Sequence, residues 1–164
     1  MKVENSIVYR VATFEEKVEV MGVALPKRWK VIGEFKQRLE NSLERHRPNG
    51  FPSREKCLYV CFSKENAYEW ASCLYKGRIT PYKLLTLEIS GELFWFKSDC
   101  YNFLQKNSSQ TEFDKASIDY WDSLVEDESK LTLDKGYEGL FVGESKIIAI
   151  EYKQLINGES IDVE

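Results

Sequence analysis

The sequence predicts an α+β domain with a mainly antiparallel sheet. Strand-like runs follow one another without helices between them in the second half of the chain, and three other segments carry apolar residues at helical spacing. A doubly wound parallel sheet would need helices alternating with strands throughout, and that alternation is missing.

The elements read in order as follows. "SIVYRVAT" is a strand with Ile7, Tyr9 and Val11 on one face and Val8, Arg10 and Ala12 on the other, and "KVEVMGVA" is a second, short β-like piece. From Trp29 to Arg47, the residues Ile32, Phe35, Leu39 and Leu43 recur at helical spacing, with Glu34 four positions before Arg38, and "RPNG" stops the helix. The loop "FPSREK" leads to a strand over 57–62. Ser63 is placed to cap a helix that carries Ala67, Trp70, Ala71 and Leu74 and ends at Gly77. "YKLLTLEIS" and "ELFWF" are two strands, or one strand bent at Gly91; a short helix follows near 99–106. Phe113, Ala116, Tyr120, Trp121 and Leu124 mark an amphipathic helix. "YEGLFVGESKIIAIEYKQLI" then reads as a hairpin turning at Gly143 and Glu144.

The 164 residues fit one domain, 1–164, large enough to bury a core without staples. A formal charge of −4, from 23 basic and 27 acidic residues, gives no general attraction to nucleic acid or to an anionic membrane. Local clusters at Lys27, Arg28, Lys30, at Arg45, Arg47, Arg54 and at Glu126, Asp127, Glu128 read as solvated faces. No secretory leader and no membrane-length apolar run is read, so a cytoplasmic, reducing setting is expected, with Cys57, Cys61, Cys73 and Cys100 as thiols. Without a CxxC pair, and with His46 as the sole histidine, no metal site is expected.

Common catalytic signatures are absent: no GxGxxG, no phosphate loop, no GxSxG and no HExxH. Three places keep chemical interest. In "LYVCFSKENAYEW", Tyr59 on a strand and Trp70 on the next helix offer two rings for a flat heteroaromatic ligand, though such rings are more often core. Glu138, at the mouth of an apolar strand, is a carboxylate able to bond a ribose hydroxyl and to stabilise positive charge at an anomeric carbon; alone it is more often a solvated turn residue. Arg10 on the first strand is a cation for a phosphate or ribose, or equally an edge residue paired with an acid. Arg54, just before Tyr59, is a further candidate for the adenosine side of a ligand or for an acceptor.

Taken together, Tyr59 and Trp70 at that spacing, the segment around Glu138 and Arg10 resemble the ADP-ribosyltransferase superfamily, in the branch of diphtheria toxin and the poly-ADP-ribose polymerases. The chain looks like an outlying member, because Arg10 stands where that branch has a histidine, Trp70 where it usually has a tyrosine, and Ser63 echoes the serine motif of the other branch. The resemblance implies a core of two packed, mainly antiparallel sheets with flanking helices. It implies NAD as donor of ADP-ribose, Glu138 as the catalytic carboxylate, and Arg10, Tyr59, Ser63, Trp70 and Arg54 as NAD-binding residues. The implied acceptor is a protein or nucleic acid, with no membrane partner, and a toxin-like role would bring a neutralising partner protein. An NAD-degrading enzyme of the same fold and a non-enzymatic interaction module are the alternatives it leaves open.

Overall fold

The structure, a computed structural model, describes residues 1–26, 33–75, 78–134 and 136–163. The predicted start of the first helix at Trp29 and Ile32, the predicted end of the Ser63-capped helix at Gly77 and the basic cluster of Lys27, Arg28 and Lys30 lie outside the described residues. The chain runs β1 (Lys2–Thr13), α1 (Glu34–Arg45), β2 (Leu58–Val60), α2 (Lys64–Leu74), β3 (Thr80–Lys97), α3 (Gln110–Asp122), β4 (Tyr137–Ile156) and β5 (Glu159–Asp162), with short 3₁₀ turns at 54–56, 98–101 and 128–130. The fold class is therefore α+β, and every strand pair among the described residues is antiparallel.

Alternating burial along β1, β3 and β4 gives each strand two faces, and the ladder joins them in the order β1-β3-β4-β2, with β5 on β4. Just past β2, Cys61 exchanges both backbone hydrogen bonds with Tyr9 of β1, at 2.9 and 2.7 Å. The two ends of the path thus meet, and the described strands form one sheet closed on itself, where the resemblance implied two packed sheets. The length of β3 and β4 makes this possible: their 18 and 20 residues serve both halves of the molecule without a break.

One sheet face gathers Val8, Ala12, Leu58, Val60, Leu85, Leu87, Trp95, Phe141 and Ile147. The other face is covered in two parts. Helices α1 and α3 bring Leu39, Leu43, Phe113, Tyr120 and Trp121 onto Phe96 and Leu140, while α2 lays Ala67 and Ala71 against Cys61, Tyr82, Leu84 and Leu155.

Several local expectations are corrected. Gly143 is no hairpin turn: it lies directly opposite Gly91 in the β3–β4 ladder, and both strands pass straight through. Backbones approach so closely there that a Cβ on Gly91 would stand 2.4 Å from the Val142 carbonyl oxygen, and one on Gly143 2.4 Å from that of Ser90. The actual hairpin lies between β4 and β5 at Asn157 and Gly158, both with positive φ, which is the turn chemistry that Asn-Gly favours. The segment 17–24 is not a strand but docks on β4, with Met21 N–H donating to the Ile147 carbonyl at 2.7 Å. The helix expected over 99–106 is only the 3₁₀ turn Ser98–Tyr101. No described helix is long and apolar enough to cross a membrane.

Candidate functional site

Glu138 is the second residue of β4, and at 1% exposure it is the most buried acid among the described residues. Its ladder partners fix its direction. It stands opposite Phe96 on β3, and because Val60 faces Gly139, Cys61 comes opposite Glu138 on the other side; the carboxylate therefore points to the helix-covered face shared by Tyr59, Phe96 and Leu140.

A buried carboxylate must be met by donors, and three elements supply them. Arg54 comes from the 3₁₀ turn 54–56, Tyr120 from α3, and Tyr101 from the 3₁₀ turn after β3. Arg54 Nη1 and the Tyr120 hydroxyl both donate to Glu138 Oε1, and the Tyr101 hydroxyl donates to Oε2 at 3.2 Å. Arg54 Nη1 also reaches the Tyr120 oxygen at 2.7 Å. The outer edge of the guanidinium forks onto Glu40 of α1, Nε to Oε2 at 3.1 Å and Nη2 to Oε1 at 3.2 Å.

Three phenol rings surround the same guanidinium. Its Cζ lies 5.4 Å from the centre of the Tyr59 ring, 5.0 Å from Tyr120 and 5.9 Å from Tyr101, all within cation–π range. Burial, the largest single influence, works against the Arg54 charge, but the Glu138 carboxylate and the oxygens of Tyr120, Tyr59 and Tyr101 together hold the guanidinium pKa well above its ordinary value. Burial pushes the Tyr59, Tyr101 and Tyr120 hydroxyls up as well, so all three stay neutral at physiological pH. It also lifts the Cys57 thiol to about 12, against the lowering influence of Arg54, which leaves Cys57 an inert core thiol. Outside this cluster a cleft of about 340 Å³ opens between α1 and the segment leading to β2, with Glu40, Glu44, Ser53, Arg54, Glu55 and Tyr59 on its walls.

Of the residues singled out from sequence, the structure brings Glu138, Arg54 and Tyr59 together. Trp70 lies further along the same sheet face, packed with Cys61 and Ala71, and its indole Nε1 donates to the carbonyl of Tyr137 at 3.0 Å. Tyr59 packs with the α1 and α3 cluster, so the two rings occupy different packing clusters, with Cys61 between them. Ser63 caps α2, its hydroxyl accepting from Asn66 N–H at 3.0 Å. Arg10 does not join the group. It alternates with Val8 and Ala12 on the opposite sheet face, 6% exposed, and pairs with Glu16 at 2.7 Å.

Sequence reasoning missed Tyr101, Tyr120 and Glu40 as parts of this cluster. The available signal is chemical: a tyrosine instead of phenylalanine in a buried stripe brings a hydroxyl that needs a partner. Among the described residues, no group of three or more His, Cys, Asp or Glu is placed to hold a metal ion.

The arrangement defines an α+β protein with a caged carboxylate beside an open cleft. Residues 16–157 match the family described as "Protein of unknown function (DUF2441)", and the chain belongs to that family. A search of curated proteins found no match.

Proposed function

We propose that the protein is an NAD-dependent ADP-ribosyltransferase that releases nicotinamide and passes ADP-ribose to a protein or nucleic-acid acceptor, with Glu138 as the catalytic carboxylate. One observation supports this above the others: Glu138, at the mouth of an apolar strand, is a buried carboxylate oriented by three donors, beside the Tyr59 ring and behind a cleft of about 340 Å³. Such a carboxylate stabilises positive charge on a ribose whose bond to nicotinamide is breaking, because its orientation is set before the charge develops. The bonding pair leaves with the nicotinamide nitrogen, neutralising its ring, and an acceptor oxygen or nitrogen attacks the anomeric carbon and gives up its proton. In this reading Tyr59 stacks on nicotinamide, and Trp70, packed in the α2 cluster with its indole bonded to the Tyr137 carbonyl, has no part in holding the ring. Arg10, on the other sheet face, has no part at Glu138.

The decisive experiment incubates the protein with NAD and follows free nicotinamide, beside a folded Glu138→Gln variant. Release by the wild type that falls about 10²–10³-fold in the variant supports the proposal, and undiminished release removes Glu138 from the chemistry. ADP-ribose recovered free in solution would make the protein an NAD-degrading enzyme instead. One observation favours a non-enzymatic binding module: both Glu138 oxygens are already engaged and the residue is 1% exposed. Absence of any NAD turnover would select that reading.

A further inference from the structure

We infer that the chamber walled by Tyr59, Tyr101 and Tyr120 and floored by Glu138 is a binding site for a planar organic cation, and that the chain's own Arg54 fills it until such a ligand enters. The inference deepens the NAD proposal and rests on it for one ligand, the pyridinium ring of a nicotinamide nucleotide.

Three tyrosine rings within 6 Å of one guanidinium carbon, with a carboxylate bonded to its edge, make an environment suited to delocalised positive charge. As a purely stabilising device this is a poor choice. An apolar side chain of similar volume would hold the same space without removing two charges from water. The occupant is also attached so that it can leave. Arg54 stands on a three-residue turn at the rim of the cleft, and it already grips Glu40 through the far side of its guanidinium. Glu55 lines the same cleft while Glu44 there is held by Arg47, so an Arg54 that releases Glu138 stays paired through Glu40, with Glu55 nearby. The entering cation takes over both the carboxylate and the ring faces, and net charge in the chamber is unchanged.

The test uses the N-methylnicotinamide cation, which has the charged ring but no phosphate, with neutral nicotinamide as its control. In the wild-type protein, NMR of the Arg54 Nε–H is expected to show a protected signal that shifts on adding the cation and does not shift with equal nicotinamide. A folded Arg54→Met variant is expected to bind the cation about tenfold more tightly, since the plug is gone. Loss of cation binding in that variant overturns the inference, as does an Arg54 signal that no probe moves. If Arg54→Met fails to fold, the wild-type spectra decide. Binding of the cation without NAD cleavage would leave the site standing and remove the transferase reading. NAD cleavage with Arg54 undisturbed would do the reverse.

Discussion

At the scale of single residues, Glu138 shows how little room a buried charge leaves for alternatives. Its two oxygens are met by Arg54, Tyr120 and Tyr101, and removal of any donor leaves an acceptor short in a place water barely reaches. Tyr120→Phe deletes one hydroxyl and keeps the ring, so chemical denaturation is expected to show a loss of about 1–3 kcal/mol. Alkali provides a second check. Folding holds Tyr59, Tyr101 and Tyr120 protonated above the ordinary tyrosine pKa of about 10, and Cys57 up to about 12. The unfolded chain gives up these protons first, so stability present below pH of about 9 is lost as the pH rises from there. Absorbance of tyrosinate should accordingly show these three rings ionising only as far-ultraviolet dichroism is lost. Reading the sequence brings Glu138, Arg54, Tyr59, Trp70 and Ser63 to notice, and Arg10 as a strand cation able to meet a phosphate or ribose. Strand parity shows why Arg10 fails: it stands one residue from Tyr9, and the closing bridge at Tyr9 puts the tyrosine, not the arginine, on the face of Glu138.

At the scale of elements, local chemistry was readable wherever it did not depend on distant partners. Ser63 reads as the cap of α2 and is that cap; α3 follows its apolar stripe and opens on a capping box of Ser109 and Glu112. Ser63→Ala is expected to lower stability by about 1 kcal/mol in thermal or urea unfolding. Gly143 misleads, because a glycine within a strand pattern signals either a turn or a close approach. The choice is made by Gly91, fifty-two positions earlier and directly across the ladder. Gly91→Ala should cost on the order of 1–3 kcal/mol or more, measurable as a fall in the denaturation midpoint, since its methyl group meets the Val142 carbonyl. The hairpin that does exist carries the strongest short-range signal of its kind, Asn157-Gly158, at the end of a much longer apolar strand.

For the whole molecule, β3 and β4 tie the parts together. Each contributes to the cluster under α1 and α3, to the cluster under α2, and to the core on the opposite face. No layer can melt without exposing the strands that support the others. Urea transitions followed by far-ultraviolet dichroism and by tryptophan fluorescence should therefore coincide, and separated midpoints would contradict this account. The sheet's closure could not be read from sequence, because it depends on one bridge between residues fifty-two positions apart and on a strand of only three residues.

That short strand has a consequence for biosynthesis. Leu58–Val60 takes its ladder bonds from β4, and Tyr9 alone meets the chain just past its end. A nascent chain that has been translated through α3 already contains Arg54, Tyr59, Tyr101 and Tyr120, yet the strand that brings them to a common carboxylate has still to emerge. Contacts of such long sequence separation form late. A polypeptide released before β4 therefore lacks Glu138, and the buried cluster around Arg54 assembles only once the last long strand has left the ribosome.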